Sequence, residues 1–191
     1  VADDSTAQRP SAEALSTWTQ GENMHSIRRI FSVGAAAIML AAGLVAGSAG
    51  TAQAARSDCE GGVNGFTDIP DSLSGTGVGG AGAMIIDFPH AVASYAMQAG
   101  NVGGRQAAWG VLTTGSGSNW GSGVLAEVWM DVSNDNRQTW IQCGPFSTMT
   151  AGKRMTTPAY PTSSSSSRAF RVCAHLLSQG DNSGIQCTSW W

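Results

Sequence analysis

Cys173 and His175 stand two residues apart, so in a β-strand both side chains project from one face, an arrangement that could suggest a Cys–His nucleophile. Against that reading, Cys173 is one of four cysteines with Cys59, Cys143 and Cys187, and four cysteines in an exported domain pair as two disulfides. The acids Asp87, Glu127, Asp131, Asp135 and Asp181 are enough for a glycosidase pair. That chemistry needs two carboxyls roughly 5–9 Å apart, and no spacing in the chain fixes any two of them so. Asp131 and Asp135 are better explained by a hairpin turn. A zinc site would need C-x-x-C spacing, which does not occur. Residues 75–80 satisfy G-x-G-x-x-G but follow no apolar strand and open no helix, so dinucleotide binding is not expected. No cofactor and no catalytic residue is assigned.

Tryptophan is the more telling residue. Trp109, Trp120, Trp129, Trp140, Trp190 and Trp191 all lie beyond residue 54. Buried, they would serve a β core; exposed, they would form flat apolar platforms for sugar rings or a protein partner. Trp129 and Glu127 share the strand face opposite Val128 and Met130. Trp120 stands in a Gly/Ser/Asn-rich stretch where burial is least assured, so Trp120, Trp190 and Trp191 are the ligand-binding candidates. Lys153 and Arg154 sit inside a Ser/Thr/Pro-containing segment, 147–167, expected to be a flexible surface loop; projected from a stapled scaffold, they could serve a secreted inhibitor.

The elements that position these residues begin after an export signal. From Met24, a short basic stretch with Arg28 and Arg29 runs into an apolar segment from Ile30 to about Val45 and closes on Ala52-Gln53-Ala54. Small residues at both cleavage-specificity positions predict a signal peptide over 24–54, with a mature chain from Ala55. The general secretory route is favoured over twin-arginine export. Residues 1–23 read as an upstream extension without a structural role. Removing 54 of the 191 residues leaves 137, enough for one domain. A net charge of −3 with a single lysine lacks the basic footprint of a nucleic-acid binder. No membrane association is expected after cleavage, and the protein is expected to be secreted.

Residues 55–82 are rich in Gly, Asp and Ser and read as an arm held chiefly through Cys59. In 83–191, strands are expected at 83–88, 92–98, 105–113, 124–132, 139–143, 168–176 and 185–190, with a short helix over 91–99 as the alternative to the second. Period-two alternation is clearest at Val124, Ala126, Val128, Met130 and Val132. About seven short strands and two disulfides predict an all-β domain, a small antiparallel sandwich or barrel.

Ser133-Asn134-Asp135-Asn136-Arg137-Gln138-Thr139-Trp140 resembles the Asp-box, S-x-D-x-G-x-T-W, with Arg137 in place of glycine. The resemblance implies a hairpin in which Asp135 accepts loop hydrogen bonds, Ser133 and Thr139 help close the turn and Trp140 packs across it. It carries no catalytic residue. The wider pattern, with Trp140-Ile141-Gln142-Cys143-Gly144-Pro145-Phe146, Phe170-Arg171-Val172-Cys173 and Cys187-Thr188-Ser189-Trp190-Trp191, is similar to small exported proteins of actinobacteria. This implies secretion and one compact domain, and no mechanism.

If 168–176 and 185–190 form a hairpin turning near Gly180-Asp181, residues whose numbers sum to 360 face one another, as 173 and 187 do. That register selects Cys173–Cys187 and, by elimination, Cys59–Cys143 among the three connectivities. The leading functional expectation is a non-enzymatic extracellular domain that binds a surface glycan or protein. The alternatives are a secreted inhibitor using Lys153 and Arg154 and a small carboxylate-dependent hydrolase.

Overall fold

The computed structural model describes residues 52–191. Residues 1–23, expected to be an upstream extension, and nearly all of the expected signal peptide lie outside them. The described chain is an all-β sandwich of ten strands: β1 (Ala52–Ala54), β2 (Thr76–Ile86), β3 (Ala91–Val102), β4 (Arg105–Thr114), β5 (Leu125–Ser133), β6 (Ile141–Thr148), β7 (Arg154–Thr156), β8 (Tyr160–Pro161), β9 (Ala169–Leu177) and β10 (Gln186–Cys187), with one short helix, α1 (Arg56–Glu60). One sheet runs β1-β6-β5-β9-β10; the other runs β2-β3-β4-β7, with β8 also pairing β4. Every pairing is antiparallel except β1 on β6. β1 consists of the last three residues of the segment expected to be removed, so cleavage after Ala54 would leave β6 as the sheet edge.

The alternation of β5 sets the core. Ala126, Val128, Met130 and Val132 point inward with Val172, Ala174 and Leu176 of β9, and meet Met84, Ile86, Met97 and Leu112 of the facing sheet. Residues 91–99 are strand and not helix, because β3 is central in its sheet and bonded on both sides. β4 does not alternate: its run from Ala107 to Leu112 is buried on both faces. Its outer face carries a second apolar cluster in which Trp109, fully buried, packs with Ile69, Leu73, Val102 and Ala159.

That second cluster corrects two expectations. The Gly-rich arm ends at Ser74–Gly75, since Thr76 already starts β2, and the arm is not held chiefly through Cys59. Glycine is required in this region because rings occupy the space: a Cβ at Gly75 would lie 2.7 Å from the Trp109 ring. Asp71 clamps the arm to the opposite segment. Its carboxylate accepts from Lys153 Nζ at 2.8 Å and from the Thr156 backbone N–H at 2.9 Å, while Arg154 donates to the carbonyls of Asp71 and Leu73. Consequently 147–167 is no flexible loop. It contains the end of β6, all of β7 and β8, and buried Met155, Thr157, Ala159 and Tyr160; its exposed stretches are 149–153 and 163–166.

In β10, Cys187 stands opposite Cys173, and the two are bridged in the register whose numbers sum to 360. Cys59 of α1 is bridged to Cys143 of β6. Residues 188–191 continue along β9 through Thr188 N–H to Val172 C=O and a reciprocal backbone pair between Trp191 and Phe170. Two disulfides fit an oxidising, extracellular type of environment. No helix among the described residues is long and apolar enough to cross a membrane.

Candidate binding face on the outer sheet surface

With Val128, Met130 and Val172 turned inward, the alternating residues Glu127, Trp129 and Asp131 of β5 and Arg171, Cys173 and His175 of β9 form the outward side of the sheet. The register places Asp131 opposite Arg171 and Glu127 opposite His175, and on the other side sets Gln142 opposite Asp131 and Ser147 opposite Glu127. Two polar rows therefore cross the face, separated by Trp129 and the Cys173–Cys187 bridge.

The first row is built around Arg171. Its Nε donates to Asp131 Oδ2 at 2.8 Å, and its guanidinium carbon sits 5.0 Å from the Trp140 ring centroid and 4.6 Å from that of Trp190. Each indole attracts the cation through its electron-rich face. The indoles themselves are 6.0 Å apart and inclined by 64°, an edge contact, so they bracket the guanidinium and do not make a coplanar platform. Among the described residues the Arg171 Nη groups have no hydrogen-bond partner. Asp131 is only 1% exposed and its Oδ1 accepts no hydrogen bond. Burial pushes its carboxyl above the ordinary range, against the bond and charge of Arg171, which pull it down.

Trp140 reaches this place from the turn that joins β5 to β6. Ser133 Oγ donates to Asp135 Oδ1 at 2.8 Å and accepts from the Arg137 N–H; Asp135 accepts from the Thr139 N–H at 2.9 Å and from its hydroxyl at 2.5 Å. Those bonds from Thr139 and Ser133 hold the Asp135 carboxyl down at about 2. Asn136 and Arg137 both have left-handed backbones, with φ of 59° and 71°. Asn136 also donates its N–H to Ser167 C=O, tying the turn to the start of β9.

In the second row His175 Nε2 lies 2.6 Å from Glu127 Oε2, and the ring meets Trp129 edge-on at 5.5 Å. The cross-strand order is Ser147, Glu127, His175, so the histidine stands beyond the acid and does not face the serine. A serine nucleophile would need the imidazole between them. Glu127 and Asp131 are four residues apart on one strand, roughly 13 Å, beyond the reach of a glycosidase pair. Cys173 is spent in its disulfide.

The three tryptophans singled out from sequence are not brought together. Trp120 is half-buried against the core, and its Nε1 donates to Met149 C=O at 3.0 Å. Trp191 turns the other way from Trp190, lying beside Phe170 at 5.9 Å while 45% exposed. Only Trp190 joins the outer face, where Trp140 and Arg171 are its partners. Sequence reasoning assigned Trp140 to the turn and gave Arg171 no role. The one available signal was that 171 shares strand parity with 173 and 175. Lys153, although 44% exposed, and the half-buried Arg154 are both bonded into the Asp71 clamp.

Compared with protein-family models, with curated proteins and with solved structures, the chain shows no match, so the reading of the face rests on its own geometry.

Proposed function

We propose that this is a secreted, non-enzymatic domain that binds an extracellular glycan on the outer face of the β6-β5-β9 sheet. The supporting observation is the guanidinium of Arg171, fixed by Asp131 and bracketed by the indoles of Trp140 and Trp190. Sugars present apolar C–H faces and rings of hydroxyls together. Indole surfaces serve the first, and the uncommitted Nη donors of Arg171 serve the second. Arg171 is positioned by a buried partner and by packing, so little side-chain freedom remains to be lost on binding.

The turn from Ser133 to Thr139 is read as a degenerate Asp-box whose service here is to deliver Trp140 to the face. Export through the 24–54 signal would place the domain where glycans are met, and the two disulfides suit that compartment. The inhibitor reading loses its motivating feature once Lys153 and Arg154 are both bonded to the Asp71 arm. A glycan array probed with the full chain tests the proposal: it expects selective binding to a carbohydrate class, lost in Trp190→Ala. Binding to no glycan, or equal binding by Trp190→Ala, would refute it.

A further inference from the structure

A second surface lies at one end of the sandwich, away from the Arg171 row. Four connections meet there: the β2–β3 turn at 87–90, the segment 115–124, the β6–β7 link at 149–153 and the β9–β10 loop at 178–185. They enclose a cleft of about 470 Å³ whose walls include Phe88, Pro89, Gly123, Met149 and Gln179. Phe88 is 78% exposed and Met149 59%, and Phe88 is the most exposed of the large hydrophobic side chains described.

These loops are cross-braced. Asp87 N–H donates to Asp181 Oδ2 at 3.0 Å, Ser178 Oγ to Phe88 C=O at 3.1 Å, Gly121 N–H to His90 C=O at 2.8 Å, and Trp120 Nε1 to Met149 C=O at 3.0 Å. The Trp120 indole, expected from sequence to meet ligand, thus serves as a brace beneath Met149. An aromatic ring held in solvent on a braced turn is pre-organised for contact, and methionine adapts to varied apolar shapes.

Charge narrows the partner. No charged side chain lines the cleft itself, but Asp87 adjoins Phe88 and Asp181 adjoins Gly180; of the bases in the four loops, Lys153 is paired with Asp71, which leaves His90. We infer that this loop end docks an exposed segment of another protein, in which an aromatic or branched aliphatic side chain enters the Phe88–Met149 cleft and flanking Lys or Arg residues meet Asp87 and Asp181. This surface is independent of the glycan-binding reading and stands or falls without it. The acidic rim disfavours an anionic bilayer as the occupant.

The test is selection of a random peptide library displayed on phage against the full chain, followed by anisotropy titration of the enriched peptides. Enriched sequences are expected to carry an aromatic or branched aliphatic residue beside Lys or Arg. Phe88→Ala should weaken them on the order of thirty-fold, and Asp87→Lys should lower affinity for basic-flanked peptides while favouring acidic ones. Both positions are exposed, so an unchanged melting temperature separates lost docking from lost fold. The inference is overturned if no such motif is enriched, or if binding is indifferent to Phe88→Ala. It is equally overturned if Phe88 instead drives partition onto phosphatidylglycerol vesicles or self-association of the chain.

Discussion

Replacing Arg171 by methionine probes the binding face through its effect on Asp131. The substitution keeps the length and apolar stem of the side chain but removes the partner of a carboxylate that is only 1% exposed. Breaking a buried pair from one side costs about 3–5 kcal/mol, and because the Arg171 side chain is 26% exposed the lower end applies, roughly 3 kcal/mol. Loss of attraction to the two indoles adds a further ~0.5–1 kcal/mol for each. Against a total of about 5–15 kcal/mol for a domain, the variant should still fold. The sign of the pH effect follows from the raised carboxyl of Asp131. A folded state that holds a proton more tightly than the unfolded one is penalised as pH rises above the unfolded value, and losing Arg171 raises the folded value further. Relative to wild type, Arg171→Met should therefore recover stability as pH falls from 7 towards 4. Adding Asp131→Asn should restore much of the loss at pH 7. Urea denaturation of the three proteins at several pH values is the assay. A loss under about 1 kcal/mol that does not vary with pH would mean a solvent-screened surface pair, and would refute the claim that Asp131 fixes the guanidinium.

Arg137→Gly should stabilise the fold by about 0.5–1 kcal/mol, since a left-handed non-glycine residue costs roughly 1–2 kcal/mol and glycine's extra unfolded freedom returns part of it; denaturant midpoints would show the shift, and a decrease would mean the Arg137 side chain has an unrecognised role. Asp135, held at about 2, contributes stability that is complete above its unfolded value and lost as pH falls from about 4 to 2, so Asp135→Asn should flatten that part of the acid-unfolding curve. Asp71→Ala should open the arm over β4 at a cost of about 1–2 kcal/mol and raise hydrogen exchange selectively at Trp109 and Val111, whereas uniform exchange changes would show that the arm is not clamped there.

The parts of this fold legible in the sequence are those governed by local periodicity. The β5 alternation from Val124 to Val132 gives both the inward core and the outward Glu127, Trp129 and Asp131, and hairpin parity alone brings Cys187 opposite Cys173. β4 breaks the pattern because Trp109 is covered by an arm arriving from more than thirty residues earlier in the chain, a contact no local period encodes. The Gly-rich stretch from Gly75 into β2 reads as linker because its contribution is empty space, Gly75 for the Trp109 ring and Gly82 for the Tyr95 ring, rather than side-chain packing. β7 and β8, of three and two residues, are too short to show alternation. The binding face escaped for a related reason: Asp131, Trp140, Arg171 and Trp190 come from four separate stretches. They meet only through the β5–β9 register and the run of residues 188–191 along β9.

The glycan-binding account is tested most directly by titrating an array-selected oligosaccharide while following indole fluorescence in wild type, Trp190→Ala and Trp120→Ala. The account predicts saturable quenching in wild type, affinity lowered on the order of thirty-fold in Trp190→Ala, and affinity kept in Trp120→Ala, whose indole is turned to the core and bonded to Met149. Equal affinity of Trp190→Ala and wild type, or loss confined to Trp120→Ala, would contradict it.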